Sequence, residues 1–90
     1  MKSLQETFDT LLQNIPKETQ LANQLKGVVS SKIVQSRINT GMTQEQLAEK
    51  LGLTQPSLSK WENGDQNFTI EQICKICVLL DIDYRDIFMM

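Results

Sequence analysis

Between Thr43 and Gly64 the chain reads TQEQLAEKLGLTQPSLSKWENG, so 22 residues carry the start and stop signals of two short helices. Thr43 with Gln46 three residues later fits a capping box, in which each side chain satisfies the other's backbone N–H. Leu47, Ala48 and Leu51 recur at helical spacing, and Gly52 supplies the left-handed residue on which such a helix ends. Thr54 then caps a second helix, and Pro56 sits in its first turn, where a missing N–H costs nothing. Leu58 and Trp61 are the apolar positions of that helix, and Asn63-Gly64 stops it. The small side chain of Ala48 allows the two helices to cross closely. A unit so tightly punctuated leaves little freedom: two helices, one sharp turn, one shared buried side.

The rest of the chain continues the helical pattern. In SLQETFDTLLQN, residues 3–14, Leu4, Phe8, Leu11 and Leu12 share a face and Ser3 is placed to cap. Asn14-Ile15-Pro16 interrupts it, with proline well placed to open a new helix. From Pro16 to Thr40 the composition stays helical, with Gly27 as the weak spot. The stripe of Leu21, Leu25 and Val28 is out of phase with that of Val34 and Ile38, so residues 28–40 are expected as the first helix of the globular domain. Residues 1–27 are then an N-terminal helical extension and 28–90 the domain proper. Such an extension either packs on the domain as added core or forms a dimer or partner surface. Thr69 and Gln72 make a second capping box, followed by Ile70, Ile73, Cys74, Cys77 and Leu80 on a broad apolar face, which predicts the most buried helix. Asp83 caps a last short helix with Tyr84, Ile87 and Phe88 as packing residues. No stretch alternates with period two, so the fold is all-α.

Ninety residues suit one domain near the lower size limit for a self-sufficient core. The sequence has no apolar run of the roughly 20 residues a membrane span needs, and MKSLQETFDT lacks a signal-peptide core, so a cytoplasmic protein with no membrane partner is expected. There is no histidine. That removes Ser-His and Cys-His catalysis, and no Gly-rich phosphate loop is present; no catalytic residue and no enzyme is expected. Cys74 and Cys77 lack the two further ligands of a zinc site and the βαβ setting of a redox pair. They are expected as small apolar fillers, with no metal and no cofactor.

The exposed side of the helix after Thr54 bears Gln55, Pro56, Ser57, Ser59 and Lys60, short enough to enter a major groove about 12 Å wide. Gln55 suits a bidentate bond to adenine, and Lys60 a guanine acceptor or a phosphate. Free N–H groups at the helix starts near Thr43 and Thr54 suit phosphate oxygens. The net charge of −2 gives only modest non-specific affinity. Its distribution is uneven. Over residues 30–60, Lys32, Arg37, Lys50 and Lys60 outnumber Glu45 and Glu49 by two, whereas over 61–90 six acids outnumber Lys75 and Arg85 by four. One face can meet phosphates while the other turns away.

Gln44, Ala48 and Gly52, with Leu47, Leu51, Leu53, Leu58 and Trp61, resemble the helix-turn-helix of the lambda-repressor and Cro-like regulators. The resemblance spans roughly residues 30–88. It implies a five-helix DNA-binding domain with helices near 30–40, 44–51, 55–62, 70–80 and 84–89, the third of which enters the major groove. It places Gln44 on a phosphate, Gln55, Pro56, Ser59 and Lys60 at base-facing positions, and Asn63 with the loop after it on backbone phosphate. It also pairs Arg37 with Glu62 in an internal salt bridge. Two departures stand out: Pro56 offers apolar contact only, and Asp65-Gln66-Asn67 has no lysine or arginine to clamp phosphate. The implied function is sequence-specific double-stranded DNA binding by a transcriptional regulator, a repressor acting as a homodimer on a palindromic operator. Small proteins with this motif and an added helical arm also resemble antitoxins of bacterial toxin–antitoxin pairs, whose arm binds a protein toxin while the motif represses the operon. A third reading, supported by the acidic balance, is a protein-only adaptor that has lost DNA binding.

Overall fold

The computed structural model describes residues 6–7 and 16–88. Over residues 16–88 five helices follow in order: α1 (Lys17–Asn39), α2 (Gln44–Leu51), α3 (Gln55–Glu62), α4 (Ile70–Leu79) and α5 (Arg85–Phe88). No strand occurs among the described residues.

The expected helix starts are realised by the expected chemistry. Thr43 Oγ1 accepts the Gln46 N–H at 3.1 Å, and Gln46 Oε1 accepts the Thr43 N–H at 2.9 Å. Thr69 and Gln72 repeat the reciprocal box at the start of α4. Thr54 Oγ1 accepts the Ser57 N–H and opens α3. Gly52 ends α2 at φ 70°, left-handed backbone that suits glycine. Lys75 Nζ lies 3.6 Å from where a Cβ at Gly52 would stand, so a cation rests over the negative end of α2. Asp83 Oδ1 accepts the Arg85 N–H at the start of α5, as expected of a cap.

The core gathers one side of each helix. Val29 and Ile33 of α1, Leu47, Ala48 and Leu51 of α2, Leu58 and Trp61 of α3, Ile76 of α4 and Ile87 of α5 are all buried. Helix α2 packs on α3 and α4, while α1 packs on α3 and α5. Each large buried side chain contributes roughly 1.5–3 kcal/mol by leaving water. Trp61 packs edge-on against Phe68 with ring centroids 5.4 Å apart, which anchors the polar loop between α3 and α4. Trp61 is therefore core.

Three expectations are corrected. The helix expected over 28–40 begins at Lys17 and runs through Gly27 as one 23-residue helix. A single glycine weakens a helix by only about 0.5–1 kcal/mol relative to alanine, too little to break one anchored by Val29 and Ile33. Helix α4 is not the most buried: of its residues only Ile76 is buried, while Ile70 and Val78 are more than three-quarters exposed and Cys74 is exposed. Its core side is Ile73, Ile76, Cys77 and Leu80, and Ile70, Cys74 and Val78 turn outward. Cys74 is thus no core filler. In the last helix Ile87 alone packs inward, with Tyr84 and Phe88 exposed. The amphipathic stretch of Leu4, Phe8, Leu11 and Leu12 lies outside the described residues.

Candidate nucleic-acid interface

Helix α3 is held by two buried side chains, Leu58 and Trp61, and by one ion pair at its C-terminal end. Arg37 Nε donates to both carboxylate oxygens of Glu62 at 3.1 Å, and Arg37 Nη2 stands 3.0 Å from Oε1. The Glu62 side chain is only 5% exposed. Arg37 Nη1 also donates to the Met42 carbonyl just before α2. One guanidinium therefore ties α1, the α1–α2 turn and α3 together. Arg37 is structural, as the resemblance implied.

The opposite side of α3 faces solvent. Gln55, Pro56 and Lys60 are exposed, and Ser57 and Ser59 are half-buried at its edges. Thr43 and Thr54 are exposed at the two helix starts, Gln44 is half-buried beside Thr43, and Asn63 is exposed at the α3 C-terminus. All nine candidate residues belong to α2, α3 or their caps, and none lies in the core. Lys60 has no ion-pair partner among the described residues.

Some of these groups are already engaged. Thr54 Oγ1 accepts from the Ser57 backbone and donates to Ser57 Oγ at 2.9 Å, so the two hydroxyls first of all build the cap of α3. Gln46 takes the Thr43 N–H. The first-turn N–H groups of Gln44, Glu45 and Gln55 have no acceptor among the described residues, as helix geometry requires, and these suit an anion. Gln55 Nε2 donates to Gln44 Oε1 at 3.5 Å, a long bond that bridges the two helix starts. Sequence inspection did not foresee it, because the 11-residue separation carries no periodic signal.

A pair of short crossed helices, the second with an inner apolar side and a free polar side, defines a helix-turn-helix domain. A protein-family description headed helix-turn-helix matches residues 33–87, more than half of the chain, and the chain belongs to the lambda-repressor and Cro-like helix-turn-helix family of DNA-binding regulators. It is similar to the protein named Antitoxin HipB of Escherichia coli strain K12, 37% identical over 70 residues, which is 78% of this chain and 70% of that one. It is similar also to Antitoxin HipB of Escherichia coli O6:H1 strain CFT073, 35% identical over 77 residues, or 84% and 73% of the two chains. No solved structure matches. No helix among the described residues is long and apolar enough to cross a membrane.

Proposed function

We propose that this regulator is a repressor that binds a palindromic operator in double-stranded DNA as a homodimer. In this reading α3 lies in the major groove. Gln55, Pro56, Ser59 and Lys60 meet base edges, with Gln55 suited to adenine and Pro56 to a thymine methyl. Thr43, Gln44, Thr54, Ser57 and Asn63 position the helix on backbone phosphates. Supporting it, Gln55 and Lys60 stand exposed on the side of α3 opposite Leu58 and Trp61, with Gln44 bonded beside Gln55. Few cations flank this side, so affinity rests on a small set of contacts and on the dimer's half-site spacing of about 34–36 Å. The extension, residues 1–27, and the DNA-binding domain, residues 28–90, are functional divisions here, joined by α1.

The test is operator selection from random duplexes, followed by binding of Gln55→Ala/Lys60→Ala. The double variant is expected to keep its helical circular dichroism and lose specific binding. Specific binding at full strength would sink the assignment.

A second reading is favoured by the relatives: the chain is an antitoxin that binds a protein toxin and represses its own operon. Residues 1–27, with Leu4, Phe8, Leu11 and Leu12, then supply the toxin-binding surface. Because α1 runs through residue 27, the informative truncation removes residues 1–15 and leaves α1 whole. That variant is expected to bind DNA and lose a co-purifying partner protein. Recovery of no partner with the full chain counts against this reading.

A further inference from the structure

One face of α1 has no explanation within the chain. Gly27 lies at the centre of the helix, where glycine destabilises relative to alanine. Its backbone is ordinary helix, and a Cβ there would meet nothing within 4 Å. Nothing in the described chain calls for glycine at this place. Close by, Ser30 is 95% buried, yet its hydroxyl finds no hydrogen-bond partner among the described residues. Both line an open groove of about 670 Å³ that runs along α1 past Ser31, Val34 and Ile38 and is walled by Asn63 and Gly64 at the end of α3. Ile38 stands in it 64% exposed.

The α1 side of this groove carries no charge, and Glu62 in its far wall is nearly buried and paired with Arg37. At about 100° per residue, Asn23, Gln24, Gly27, Ser31, Val34 and Ile38 share that side; Glu18, Lys26, Lys32 and Arg37 fall on other sides, and Lys17 stands at its edge in the first turn of the helix. An exposed helix face with small residues at its centre and no charge over four turns suits another helix laid close against it. The open centre lets two backbones approach, as glycine does where a second chain comes near.

We infer that the uncharged face of α1, centred on Gly27 and Ser31, is the seat of helix α1 from a second copy of this chain, running antiparallel. Length selects a second copy. From Gly27 the groove extends 12 residues to Asn39, about 18 Å at 1.5 Å per residue. In the other direction the helix runs ten residues back from Gly27 to Lys17, about 15 Å, and every residue from Lys17 to Gln24 is exposed. A two-fold axis midway between Gly27 and Ser31, level with Val29, therefore lays the projecting half of each α1 along the groove of its partner. Gly27 then faces Ser31 of the partner subunit, and Asn23 faces the partner's Gln35. No like charges are opposed, as an isologous interface requires. The inference rests on the homodimer of the proposed function and names its interface. The groove ends on Asn63, so the same packing buttresses the end of α3.

Sedimentation equilibrium on the full chain tests it, with three variants. Gly27→Ala is expected to remain folded and to melt higher. Gly27→Gln and Ser31→Glu, whose side chains enter open space in the single chain, are expected to stay helical and shift the dimer to monomer by at least about tenfold in Kd. Pairing is read by mixing Gly27→Cys chains with Ser31→Cys chains, both lacking Cys74 and Cys77 through alanine. The mixture is expected to form more disulfide-linked dimer than either alone. A wild-type dimer indifferent to both Gly27→Gln and Ser31→Glu, with no excess cross-linking, overturns the interface while leaving the dimer standing. A chain that is monomeric free and on a full operator overturns the dimer itself.

Discussion

Gln55 at the start of α3 donates its side-chain amide to Gln44 at the start of α2, across 11 residues of sequence and the turn at Gly52. The bond fixes which end of the Gln44 amide is left over. With Oε1 occupied, Gln44 Nε2 is free to donate to a phosphate oxygen. Gln55 keeps its own carbonyl and one N–H for a base edge.

Two mutations of this pair are expected to be less than additive. On the proposed assignment Gln55→Ala removes base recognition, roughly 1–3 kcal/mol of discrimination for a good bidentate contact. On the same assignment Gln44→Ala removes a phosphate contact and also releases Gln55. The double variant should therefore lose less than the sum, with a coupling of at least about 0.5 kcal/mol. Operator titrations by fluorescence anisotropy measure the cycle. Strict additivity would show that the two glutamines act independently on DNA.

Lys60 separates charge from reading. If it meets a phosphate, Lys60→Ala weakens specific and non-specific DNA about equally and lowers the log–log salt slope by about 1. If it meets guanine, specificity falls at one base position while non-specific binding changes little. Titrations at several salt concentrations, on operator and on scrambled duplex, distinguish the two. No change on either duplex would remove Lys60 from the interface.

Much of the frame that holds the candidate site was legible in sequence because it is made of local chemistry. Thr43 with Gln46, Thr54 with Ser57, and Thr69 with Gln72 meet within three residues, so spacing alone predicts them. Gly52 marks the turn for the same reason. What was not legible depends on which elements pack together. Helix α4 is apolar on nearly all sides, so composition could not show that Ile73 and Ile76 turn inward while Ile70, Cys74 and Val78 turn out. The start of α1 differs because the stripes of Leu21, Leu25 and Val28 and of Val34 and Ile38 are out of phase on either side of Gly27, yet the backbone runs through as one helix held by Val29 and Ile33. The Gln44–Gln55 bond needs the crossing of two helices, and no one-dimensional period encodes that crossing.

The Arg37–Glu62 pair predicts a stability effect with little direct cost to DNA contact. Removing Arg37 leaves a nearly buried carboxylate unpaired and frees the Met42 carbonyl. Breaking a buried pair this way costs about 3–5 kcal/mol, and the partial exposure of Arg37 places it at or below the lower end. Arg37→Met is expected to lower the melting temperature by at least about 10 °C, since each kcal/mol shifts a domain of this size by roughly 4–8 °C. Arg37→Met/Glu62→Leu should recover a good part of that loss, because no charge is then left buried. Thermal melts followed by circular dichroism check the order. A double variant less stable than Arg37→Met would mean that the pair does more than neutralise itself.

The two cysteines differ in setting, and chemical modification should report it. Cys74 is exposed on the outer side of α4. Cys77 is half-buried, and its thiol is pushed above the usual range, first by burial and then by the nearby Cys74 and Asp83. Only the thiolate reacts, so a raised pKa lowers the reactive fraction at any pH below it. At pH 8 iodoacetamide is expected to label Cys74 first and Cys77 more slowly, with Cys77 labelling still rising as pH passes the ordinary thiol value of about 8.5. Chelators should leave the melting temperature unchanged, because two thiols fall short of the four ligands a structural zinc takes. Peptide mass analysis over a pH series reads both sites at once. Equal rates at Cys74 and Cys77 throughout would contradict the inward orientation of Cys77 and, with it, the side of α4 assigned to the core.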